Sequence, residues 1–579
     1  MKNTNIPSVD KAHLKGVPLL ERHPIIPNML SISDALRLLA LRKAERYVVD
    51  CEGLRVKAGE MKADTMLLAK AFVRLGVKPG DIVACAMPNT YQALLVFMAA
   101  NTIGAVTTYL NSHAGKEEIA DYLNLYECKL LVTVKGSERR LQFYKENTGL
   151  EHIIMQENED RDSRDFRKTE ADEKAFFMDL HGMGAVADLQ KGSFRKHFPG
   201  KQNALILHTS GSTGMPKSMM FTNENVIAAL TYLEHSTHTP GPTKKDCRWM
   251  NVVPFMYPYG FVASALGTLF ARRELILIPD VNAAGIGDYY EKKPHLIFGS
   301  PAFLELTMKY LPDHVSCEDL HIYVSGGDFL SEKKSREGIA FFAKHGATVE
   351  LANGSGNGEI LACCTNSMNV EYKPETVGQL VLGPDYRVID PDTGAEVPYD
   401  EPGVLCVAGK HVFQGYFKDE AGTAAVMKCI DGKMYYNTGN YGILRKNRYF
   451  ELVGRASRFY IVSSLNKVYC ELVQKVLCLV DVVDSCVVVP KPHEELLYVG
   501  KAYVKLKEGV PATEETAKHI LEECQKSFVD EASGEELQLK EYEIPAEVAF
   551  VEEIKRHDDS DKITYEYYRL EAEKEVGEK

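Results

Sequence analysis

The sequence lacks an uninterrupted apolar run long enough to cross a bilayer. Its most apolar segment, residues 91–110, contains Gln92, Asn101 and Gly104, whereas a spanning helix needs about 20 consecutive, predominantly apolar residues. The first eight residues contain one lysine and no apolar core, so they resemble neither a secretory signal nor an Arg-rich transit peptide. We therefore expect no integral membrane segment and predict a cytoplasmic protein.

An excess of basic residues and a metal-binding cysteine pattern are also missing. The 81 Asp and Glu residues outnumber the 68 Lys and Arg residues, which gives a net charge of −13. This balance argues against nucleic acid or an anionic membrane as the main partner. The 13 cysteines show no metal-ligand spacing, and the adjacent Cys363 and Cys364 are typical of small buried side chains rather than of a disulfide framework.

Length and composition indicate a folded, multidomain protein. The chain has 579 residues, and about 150 residues per domain gives an expectation of three or four cores. Its content of 45% hydrophobic and 26% charged residues is ordinary for globular proteins. This composition excludes intrinsic disorder, collagen and a disulfide-dense scaffold.

Helical periodicity alternates with short apolar runs along most of the chain. Residues 63–75 have the apolar spacing of a helix, residues 82–87 form a predicted strand, and Asn89 is expected to cap the next helix. Repeated units of this kind predict a layered α/β fold with a parallel sheet. Residues 415–449 are predicted to be β-rich, and the mixed-charge run 157–174 is predicted to be a solvated loop.

The strongest local signal follows a predicted strand at residues 204–208. Residues 209–217 read TSGSTGMPK, in which glycines let the backbone approach an oxyanion, hydroxyl groups supply donors, and Lys217 supplies a mobile positive charge. Pro216 stands where a Walker motif requires Gly, which disfavours a P-loop kinase. A polyphosphate-binding loop is one interpretation, and a flexible polar turn is the other. The candidate nucleotide-binding residues of this loop are Thr209, Ser210, Gly211, Ser212, Thr213 and Gly214.

This loop strongly resembles the signature of the acyl-adenylate-forming (AMP-binding) superfamily, which contains acyl-CoA synthetases, peptide-synthetase adenylation domains and firefly luciferase. The similarity continues in order from the KPGD sequence at residues 78–81 to Lys562, so it covers nearly the whole chain. It implies a large N-terminal part, residues 1–455, of two α/β subdomains and a β-barrel. A small mobile α+β domain, residues 456–579, would follow. The implied cofactors are ATP, Mg²⁺ and coenzyme A.

Two glycine-rich motifs resemble the nucleotide site of this family. The SGGD sequence at residues 325–328 resembles a glycine pair beside the adenine, and residues 353–359 resemble the next core motif. The second motif implies Glu359 as a magnesium ligand, since this cation prefers carboxylate oxygen; a helix-start carboxylate after a turn is the alternative. Ser355 and Gly358 stand where an aromatic residue and a threonine are usual. The implied nucleotide contacts are Gly326, Gly327, Asp328, Asn353, Gly354 and Ser355.

Later motifs continue the resemblance with several departures. Asn440 stands where the family has a ribose-binding Asp, an exchange that costs on the order of 1 kcal/mol. Arg455 matches a ribose-contacting arginine at the domain junction, while Ser457 replaces the usual hinge residue. Lys562 matches the catalytic lysine, whose ammonium group stabilises the charge that develops on the phosphoryl oxygens, although Asp561 replaces a glycine beside it. An ordinary surface lysine is the alternative for Lys562. The implied catalytic residues are Lys562, Glu359 and Lys217.

Residues 254–261, PFMYPYGF, resemble the acyl-pocket motif of CoA ligases. An amino-acid-activating domain would be expected to offer an Asp after a Phe here, because a buried ammonium group needs a partner. We therefore expect an uncharged fatty or aromatic acid as substrate. Core packing is the alternative for Tyr257 and Phe261. The implied substrate-pocket residues are Tyr257, Gly260, Phe261 and Ser300.

The resemblance implies a two-step ligase. A carboxylic acid would react with ATP to give acyl-AMP and pyrophosphate, and a thiol, coenzyme A in the first instance, would then take the acyl group. Because no carrier domain is expected after Lys579, a free acyl-carrier protein is an alternative acceptor. A nucleotide-binding homologue with impaired catalysis is a second alternative. It is suggested by the departures at Ser355, Gly358, Asn440, Ser457 and Asp561.

Overall fold

The computed structural model of the chain describes most of its length. The described residues are 5–15, 17, 26–39, 41–134, 138–156, 166–169, 175–178, 199–209, 217–236, 247–327, 330, 332–368, 376–455, 459–462, 466–493, 496–529, 536–556 and 563–577. Within these ranges, no helix combines the length and the apolarity that a membrane crossing requires.

The first large sheet has seven strands and is parallel except at one edge. Its central strands, such as Glu274–Leu277 and Leu296–Gly299, are fully buried. Their sequences are nearly continuous apolar runs, as expected for parallel strands that are covered on both faces. In spatial order the strands are Glu350–Asn353, Ile322–Ser325, Leu296–Gly299, Arg248–Asn251, Glu274–Leu277, Tyr47–Cys51 and Leu54–Lys57.

The second large sheet has nine strands, with a parallel centre and antiparallel edges. Its strand Phe166–Thr169 pairs antiparallel with His152–Gln156 on one side and with the edge strand Ala175–Met178 on the other, so the predicted solvated loop at residues 157–174 is wrong for this segment. In spatial order the strands are Gly415–Tyr416, Ser218–Thr222, Asn203–His208, Val106–Tyr109, Ile82–Ala86, Leu130–Val134, His152–Gln156, Phe166–Thr169 and Ala175–Met178.

The predicted strand–helix–strand unit near the N-terminus is present. Gly104, with a φ of 79°, ends the helix Tyr91–Ile103 before the next strand. The predicted N-cap is wrong, because the hydroxyl of Thr90 rather than Asn89 accepts the hydrogen bond from the Ala93 amide. The Asn89 side chain instead contacts a loop of the first sheet, as described below.

The helices fill the connections between these strands. The α-helices are Pro7–Asp10, Ile32–Leu39, Ala58–Arg74, Tyr91–Ile103, Lys116–Leu125, Glu138–Asn147, Asn223–Ser236, Gly267–Phe270, Ile286–Glu291, Pro301–Tyr310, Glu332–Lys344, Glu420–Val426, Cys470–Leu477, Glu514–Glu523 and Tyr565–Gly577. A π-helix spans Tyr259–Leu266. Short 3₁₀-helices lie at Ala12–Leu14, Pro199–Lys201, Gly358–Ile360 and Glu541–Glu543.

A β-barrel was predicted for this part of the chain. The structure has a curled antiparallel sheet here, which forms a half-barrel. Its long strand Lys433–Leu444 pairs first with Met427–Ile430 and then with Phe450–Arg455. The strand bends between these partners at Gly439, where φ is +67°, a conformation that favours glycine. The remaining strands are Asp385–Ile389 and Pro402–Ala408, and a two-stranded sheet of Thr365–Asn366 and Gln379–Leu380 lies nearby in the sequence.

The predicted β-rich segment at residues 415–449 also contains a helix that the sequence analysis missed. The helix Glu420–Val426 begins after Asp419, whose carboxylate accepts a hydrogen bond from the Gly422 amide at 2.7 Å. Asp is a favoured N-cap residue because it satisfies an amide that has no partner within the helix.

The C-terminal part of the chain forms an α+β unit with a core of its own. That core includes Val468, Val473, Val488 and Val504, all completely buried. The helix Tyr565–Gly577 packs against one of its strands, Val483–His493. The sheet contains Asn466–Tyr469, Phe459–Val462, Leu497–Leu506, Val483–His493 and Glu547–Phe550, and Phe528–Val529 pairs separately with Glu536–Leu537.

Candidate active site

A cavity of about 1370 Å³ lies where loops from both large sheets meet. Four neighbouring parallel strands of the first sheet end at Asn251, Gly299, Ser325 and Asn353, and the residues that follow each strand line the cavity. The carboxyl ends of parallel strands lie on one edge of a sheet, which is the usual position of a ligand site in an α/β protein.

Two sets of residues with different chemistry line the cavity. We call the first the polar region; it comprises Thr209, Gly354, Asn357, Glu359, Arg455 and Arg556. We call the second the apolar region; it comprises Leu230, Leu233, Trp249, Phe270, Phe298 and Phe303.

Glu359 lies in the polar region on a short 3₁₀-helix. The side chain is 8% exposed, and its Oε1 accepts a hydrogen bond from the Tyr416 hydroxyl at 2.6 Å. Burial and the neighbouring carboxylate raise the pKa of Tyr416 above its usual value, so the phenol remains a donor. This contact fixes one carboxylate oxygen.

Lys217 and Thr209 join the two ends of the predicted phosphate loop. The Thr209 amide donates to the Lys217 carbonyl at 2.9 Å, and the Lys217 amide donates to the Thr209 hydroxyl at 3.0 Å. The Lys217 ammonium lies 4.7 Å from the centre of the Tyr416 ring, the phenol that contacts Glu359. The predicted loop residues Ser210, Gly211, Ser212, Thr213 and Gly214 lie outside the described residues.

Asn357 connects the polar region to the curled sheet. Its Nδ2 donates to the Thr438 carbonyl at 2.8 Å and to the Tyr436 hydroxyl at 3.0 Å. Arg455 donates to the same Thr438 carbonyl at 3.0 Å. Asn440 is 3% exposed and donates to Asn357 Oδ1 at 3.4 Å. Asn357, rather than Asn440, is therefore the amide that lines the cavity.

The glycine-rich motifs divide between the cavity surface and its support. Gly326, Gly327 and Gly354 line the cavity, whereas Asn353 and Ser355 do not. The backbone amides of these two residues bond to the hydroxyls of Ser367 and Thr365, respectively. Asp328 lies outside the described residues.

Two of the cavity glycines lie against large side chains. A Cβ at Gly358 would lie 2.7 Å from the Met219 sulfur, so a larger residue such as threonine would require Met219 to move. A Cβ at Gly326 would lie 2.9 Å from the Tyr259 ring. The Tyr259 hydroxyl donates to the Val324 carbonyl at 2.9 Å, which holds the ring in place.

Two helices form one wall of the apolar region. Leu230 and Leu233 belong to the helix Asn223–Ser236, while Phe270 follows the π-helix Tyr259–Leu266. π-Helical turns are rare and occur frequently at functional sites. Gly267 also faces the cavity, and a Cβ there would meet only one atom, the Val262 carbonyl oxygen at 3.5 Å.

Residues 39–417 match the AMP-binding enzyme family. The chain belongs to this family. The prediction of an acyl-adenylate-forming protein is therefore confirmed.

Several CoA ligases are similar to this AMP-binding enzyme. It is 22% identical to 4-coumarate:CoA ligase 1 of Petunia hybrida, over 78% of this chain and 80% of the relative. It is 24% identical to 4-coumarate–CoA ligase CCL1 of Humulus lupulus, over 78% of this chain and 80% of the relative.

Solved structures show the same fold. ATP-bound MatB from Rhodopseudomonas palustris is 21% identical, with a TM-score of 0.77 over 94% of this chain and 99% of that one. The anthranilate CoA ligase AuaEII, in complex with anthranoyl-AMP, is 16% identical, with a TM-score of 0.79 over 95% and 99%. The predicted fold class is confirmed.

Two predicted substrate-pocket residues of this AMP-binding enzyme are closely packed. Phe261 is completely buried, with its ring 4.6 Å from that of Tyr109 and 4.9 Å from that of Phe97. Gly260 packs against a neighbouring loop, because a Cβ would lie 2.3 Å from the Pro254 carbonyl oxygen. Neither residue lines the cavity. Aromatic packing and close backbone contact surround the two residues, and their role in the substrate pocket stays a prediction.

The other two predicted pocket residues do line the cavity. Tyr257 lies on the loop that precedes the π-helix. The Ser300 hydroxyl accepts a hydrogen bond from the Phe303 amide at 3.2 Å and caps the helix Pro301–Tyr310. Ser300 therefore combines a position in the wall with a structural contact.

Several residues that shape the cavity were not predicted from the sequence. Asn89 accepts a hydrogen bond from the Phe255 amide at 2.9 Å and donates to the Val253 carbonyl at 2.8 Å, which holds the Tyr257 loop. Its place directly after a predicted strand was the available signal. Arg556 and Trp249, the single tryptophan of the chain, also line the cavity, and no local motif marks either residue.

His208 lies at the end of a strand in the cavity wall. Its side chain is buried, and Nε2 lies 3.3 Å from the Thr108 hydroxyl. Burial lowers the pKa of His208 to about 4, so the imidazole is neutral at physiological pH.

The polar region fits a magnesium–nucleotide complex better than a metal held by protein alone. Among the described residues, no group of three or more His, Cys, Asp or Glu side chains could hold a metal ion. A single carboxylate such as Glu359 is nevertheless sufficient where substrate phosphates and water complete the coordination.

Lys562 lies outside the described residues. The nearest described residues on its two sides, Arg556 and Ile563, form an antiparallel β-bridge, and Arg556 lines the cavity. The role of Lys562 stays a prediction.

Proposed function

We propose that this AMP-binding enzyme is an AMP-forming acid–thiol ligase, which joins a small carboxylic acid to coenzyme A. The observation that carries the proposal is a single cavity that contains both a polar region with Glu359 and Arg455 and a region walled by apolar side chains. An acid and ATP can therefore meet in one chamber. Family membership and the similar 4-coumarate–CoA ligases support the same reaction.

In the first step, a carboxylate oxygen of the acid attacks the α-phosphorus of ATP. A new P–O bond forms, the bond to the bridging oxygen breaks, and pyrophosphate leaves. Lys217 and Arg455 supply positive charge to the phosphates, while Tyr416 holds the Glu359 carboxylate in position. Lys562 stabilises the charge that develops on the oxygens in the transition state.

Mg²⁺ would be held by Glu359 together with the phosphates. When bound, it supplies neutralisation of the phosphate charge. Positioning of the adenosine falls to Gly326, Gly327 and Gly354, which line the cavity, and to Asn357 and Arg455, which are both fixed on Thr438.

In the second step, the thiol of coenzyme A loses its proton to solvent and its sulfur attacks the acyl carbonyl of the adenylate; a C–S bond forms, the C–O bond to the phosphate breaks, and AMP leaves. The acid is activated because AMP is a far better leaving group than the oxygen of a free carboxylate. Rotation of residues 456–579 between the two steps is part of the proposal. The curled sheet ends at Arg455, which is consistent with a boundary there.

The cavity favours an uncharged fatty or aromatic acid. Apart from Arg455 and Arg556, no lysine or arginine is among the described residues that line it. Glu234 and Asp280 also line the cavity, and they would repel a second carboxylate on the substrate. The similar ligases act on 4-coumarate and anthranilate, which are aromatic acids.

A panel of carboxylic acids, graded by chain length and ring content, tests the proposal. ATP-dependent pyrophosphate release and trapping of the acyl group by hydroxylamine are expected with at least one fatty or aromatic acid. Addition of coenzyme A should then give a thioester. Nucleotide binding without pyrophosphate release from any acid would favour the impaired homologue instead. The similar ligases are named for coenzyme A and lend no support to a carrier protein as acceptor.

A further inference from the structure

We propose that Arg556 binds the phosphates of ATP during adenylate formation, as a second arginine beside Arg455; the inference rests on the proposed function. Arg556 lines the same cavity as Arg455, Asn357 and Glu359. It reaches this position from the C-terminal unit, 101 residues after Arg455 in the chain.

The backbone next to Arg556 is fixed at Lys555. The Lys555 amide donates to the Tyr568 hydroxyl at 2.7 Å, and the Thr564 amide donates to the Lys555 carbonyl at 3.0 Å. Arg556 itself pairs with Ile563. Tyr568 is 2% exposed, so this anchor belongs to the core of the C-terminal unit.

Successive side chains in this segment serve different partners. The Lys555 ammonium lies 3.6 Å from the centre of the Tyr567 ring, on the C-terminal helix. Arg556 lines the cavity. In extended backbone, neighbouring side chains point to opposite faces, so the anchoring of Lys555 is consistent with the direction of Arg556.

Contacts between the two parts of the chain hold the C-terminal unit against the curled sheet. The rings of Tyr441 and Tyr469 stack, with centres 4.6 Å apart and an angle of 12° between their planes. At Gly454, a Cβ would lie 2.8 Å from a carboxylate oxygen of Glu471. Gly454 directly precedes Arg455, so this contact holds the C-terminal unit close to Arg455. It supports the proposal that Arg455 and Arg556 bind the same ligand.

Charge gives a reason for a second arginine. Asp558, Asp559 and Asp561 place three negative charges beside the single positive charge of Lys562 in the sequence. A guanidinium group carries a permanent charge and can bind two phosphate oxygens at once. Arg556 therefore supplies positive charge to the cavity from the same segment that carries these aspartates.

The test compares Arg556→Gln, Arg556→Lys and the neighbouring control Lys555→Gln in the full-length enzyme. Adenylate formation is followed by acid-dependent pyrophosphate release, and thioester formation by the reaction of supplied acyl-AMP with coenzyme A. For Arg556→Gln, we expect kcat/KM for ATP to fall by about 10- to 100-fold. Arg556→Lys should recover part of this loss, and Lys555→Gln should change the rate by less than about threefold.

Thioester formation from acyl-AMP should change by less than about threefold in Arg556→Gln, because its phosphate contacts matter before pyrophosphate leaves. An equal loss in both half-reactions, or an increase in KM for the acid alone, would overturn the proposal. An Arg556→Gln enzyme that forms adenylate at the wild-type rate would overturn it while leaving the ligase function intact. A wild-type enzyme that releases no pyrophosphate would sink both.

Discussion

The polar and apolar regions of the cavity are built in different ways. The polar region depends on loops at strand ends, where hydrogen bonds such as those from Tyr416 to Glu359 and from Asn357 to Thr438 fix each group. The shape of the apolar region depends on the volumes of side chains on helices, such as Leu233 and Phe270. We infer that the first region sets the reaction and that the second sets the acid.

The two regions also respond differently to changes in sequence. Gly358 stands where the family usually has a threonine, and the Met219 side chain fills the space that the larger residue would need. The exchange to glycine at this position is therefore accompanied by different packing. At Gly267 in the apolar region, the neighbouring space is almost empty. Substitutions in the apolar region should therefore alter substrate size without disturbing the nucleotide.

The largest expected effect is a loss of adenylate formation when a positive charge that acts on the phosphates is removed. Lys562→Ala should slow adenylate formation by about 10²–10³-fold, the scale of losing one preorganised charged donor. The loss should be the same for every acid, because the charge develops on the phosphoryl oxygens. Single-turnover pyrophosphate release measures it.

Lys555→Gln, seven residues earlier, removes a positive charge that contacts Tyr567 instead of the cavity. It is the matched control and should leave adenylate formation nearly unchanged. An unaltered rate in Lys562→Ala would remove this lysine from the mechanism and leave Arg455 and Arg556 as the cations of the polar region.

The next largest effect should appear in the apolar region. Gly267→Leu places a side chain into the cavity from a helical position with a φ of −59°, so the backbone tolerates it. Overpacking costs about 1–3 kcal/mol, and kcat/KM should fall by about 10- to 100-fold for bulky acids. Acids of up to about four carbons should lose less than threefold.

Gly267→Ala adds a single methyl group and serves as the control, with an intermediate shift in acid preference. A competition assay with mixed acids gives the ratio of kcat/KM values directly. Equal losses for small and large acids, or a higher KM for ATP, would contradict the separation of the two regions.

The sequence predicted the polar region better than the apolar region, for a physical reason. Phosphate binding needs glycine, hydroxyl and carboxylate groups in a fixed local order, so Thr209, Lys217 and Glu359 could be found from short motifs. The apolar wall draws on separate helices, and no local pattern distinguishes Phe270, which lines the cavity, from Phe261, which is buried in the core.

Long-range contacts explain the other errors. Asn89 was expected to cap a helix, yet its side chain bonds to Val253 and Phe255, more than 160 residues later. Arg556 has no motif of its own and reaches the cavity only because the C-terminal unit packs against the curled sheet through Tyr469 and Tyr441. Such contacts depend on tertiary structure and cannot be read from neighbouring residues.

A smaller expected effect is the pH dependence of stability that His208, in the cavity wall, produces. The pKa of His208 is lowered to about 4 by burial, whereas an unfolded histidine titrates near 6.5. The unfolded chain therefore binds more protons between these values, and stability falls as the pH decreases from 6.5 towards 4. At pH 5 the expected loss is about 2 kcal/mol.

His208→Gln should remove this part of the pH dependence. Denaturant titrations give the free energy of unfolding of both proteins at pH 7 and pH 5. The change between the two pH values is then compared between the wild type and the variant, so that the contributions of all other titrating groups cancel. An identical pH dependence in the variant would show that the imidazole is not kept neutral by its surroundings.

The smallest expected effect tests whether the polar region has compensated for its departures. Asn440→Asp would restore a charged acceptor, and the gain of about 1 kcal/mol corresponds to a decrease of roughly fivefold in KM for ATP. KM for the acid should not change, because Asn440 lies in the curled sheet and contacts Asn357 of the polar region. Steady-state kinetics with ATP as the varied substrate provides the measurement.

The Asn357 amide determines whether KM for ATP falls or rises in Asn440→Asp. Asn440 now donates to Asn357 Oδ1, and a carboxylate at residue 440 cannot donate, so the Asn357 amide would have to turn and give up Thr438 or Tyr436. A higher KM for ATP in Asn440→Asp, with no recovery in Asn440→Asp combined with Asn357→Ala, would mean that Asn357 has taken over the nucleotide contact. A lower KM in the single variant would mean that the ribose still meets residue 440.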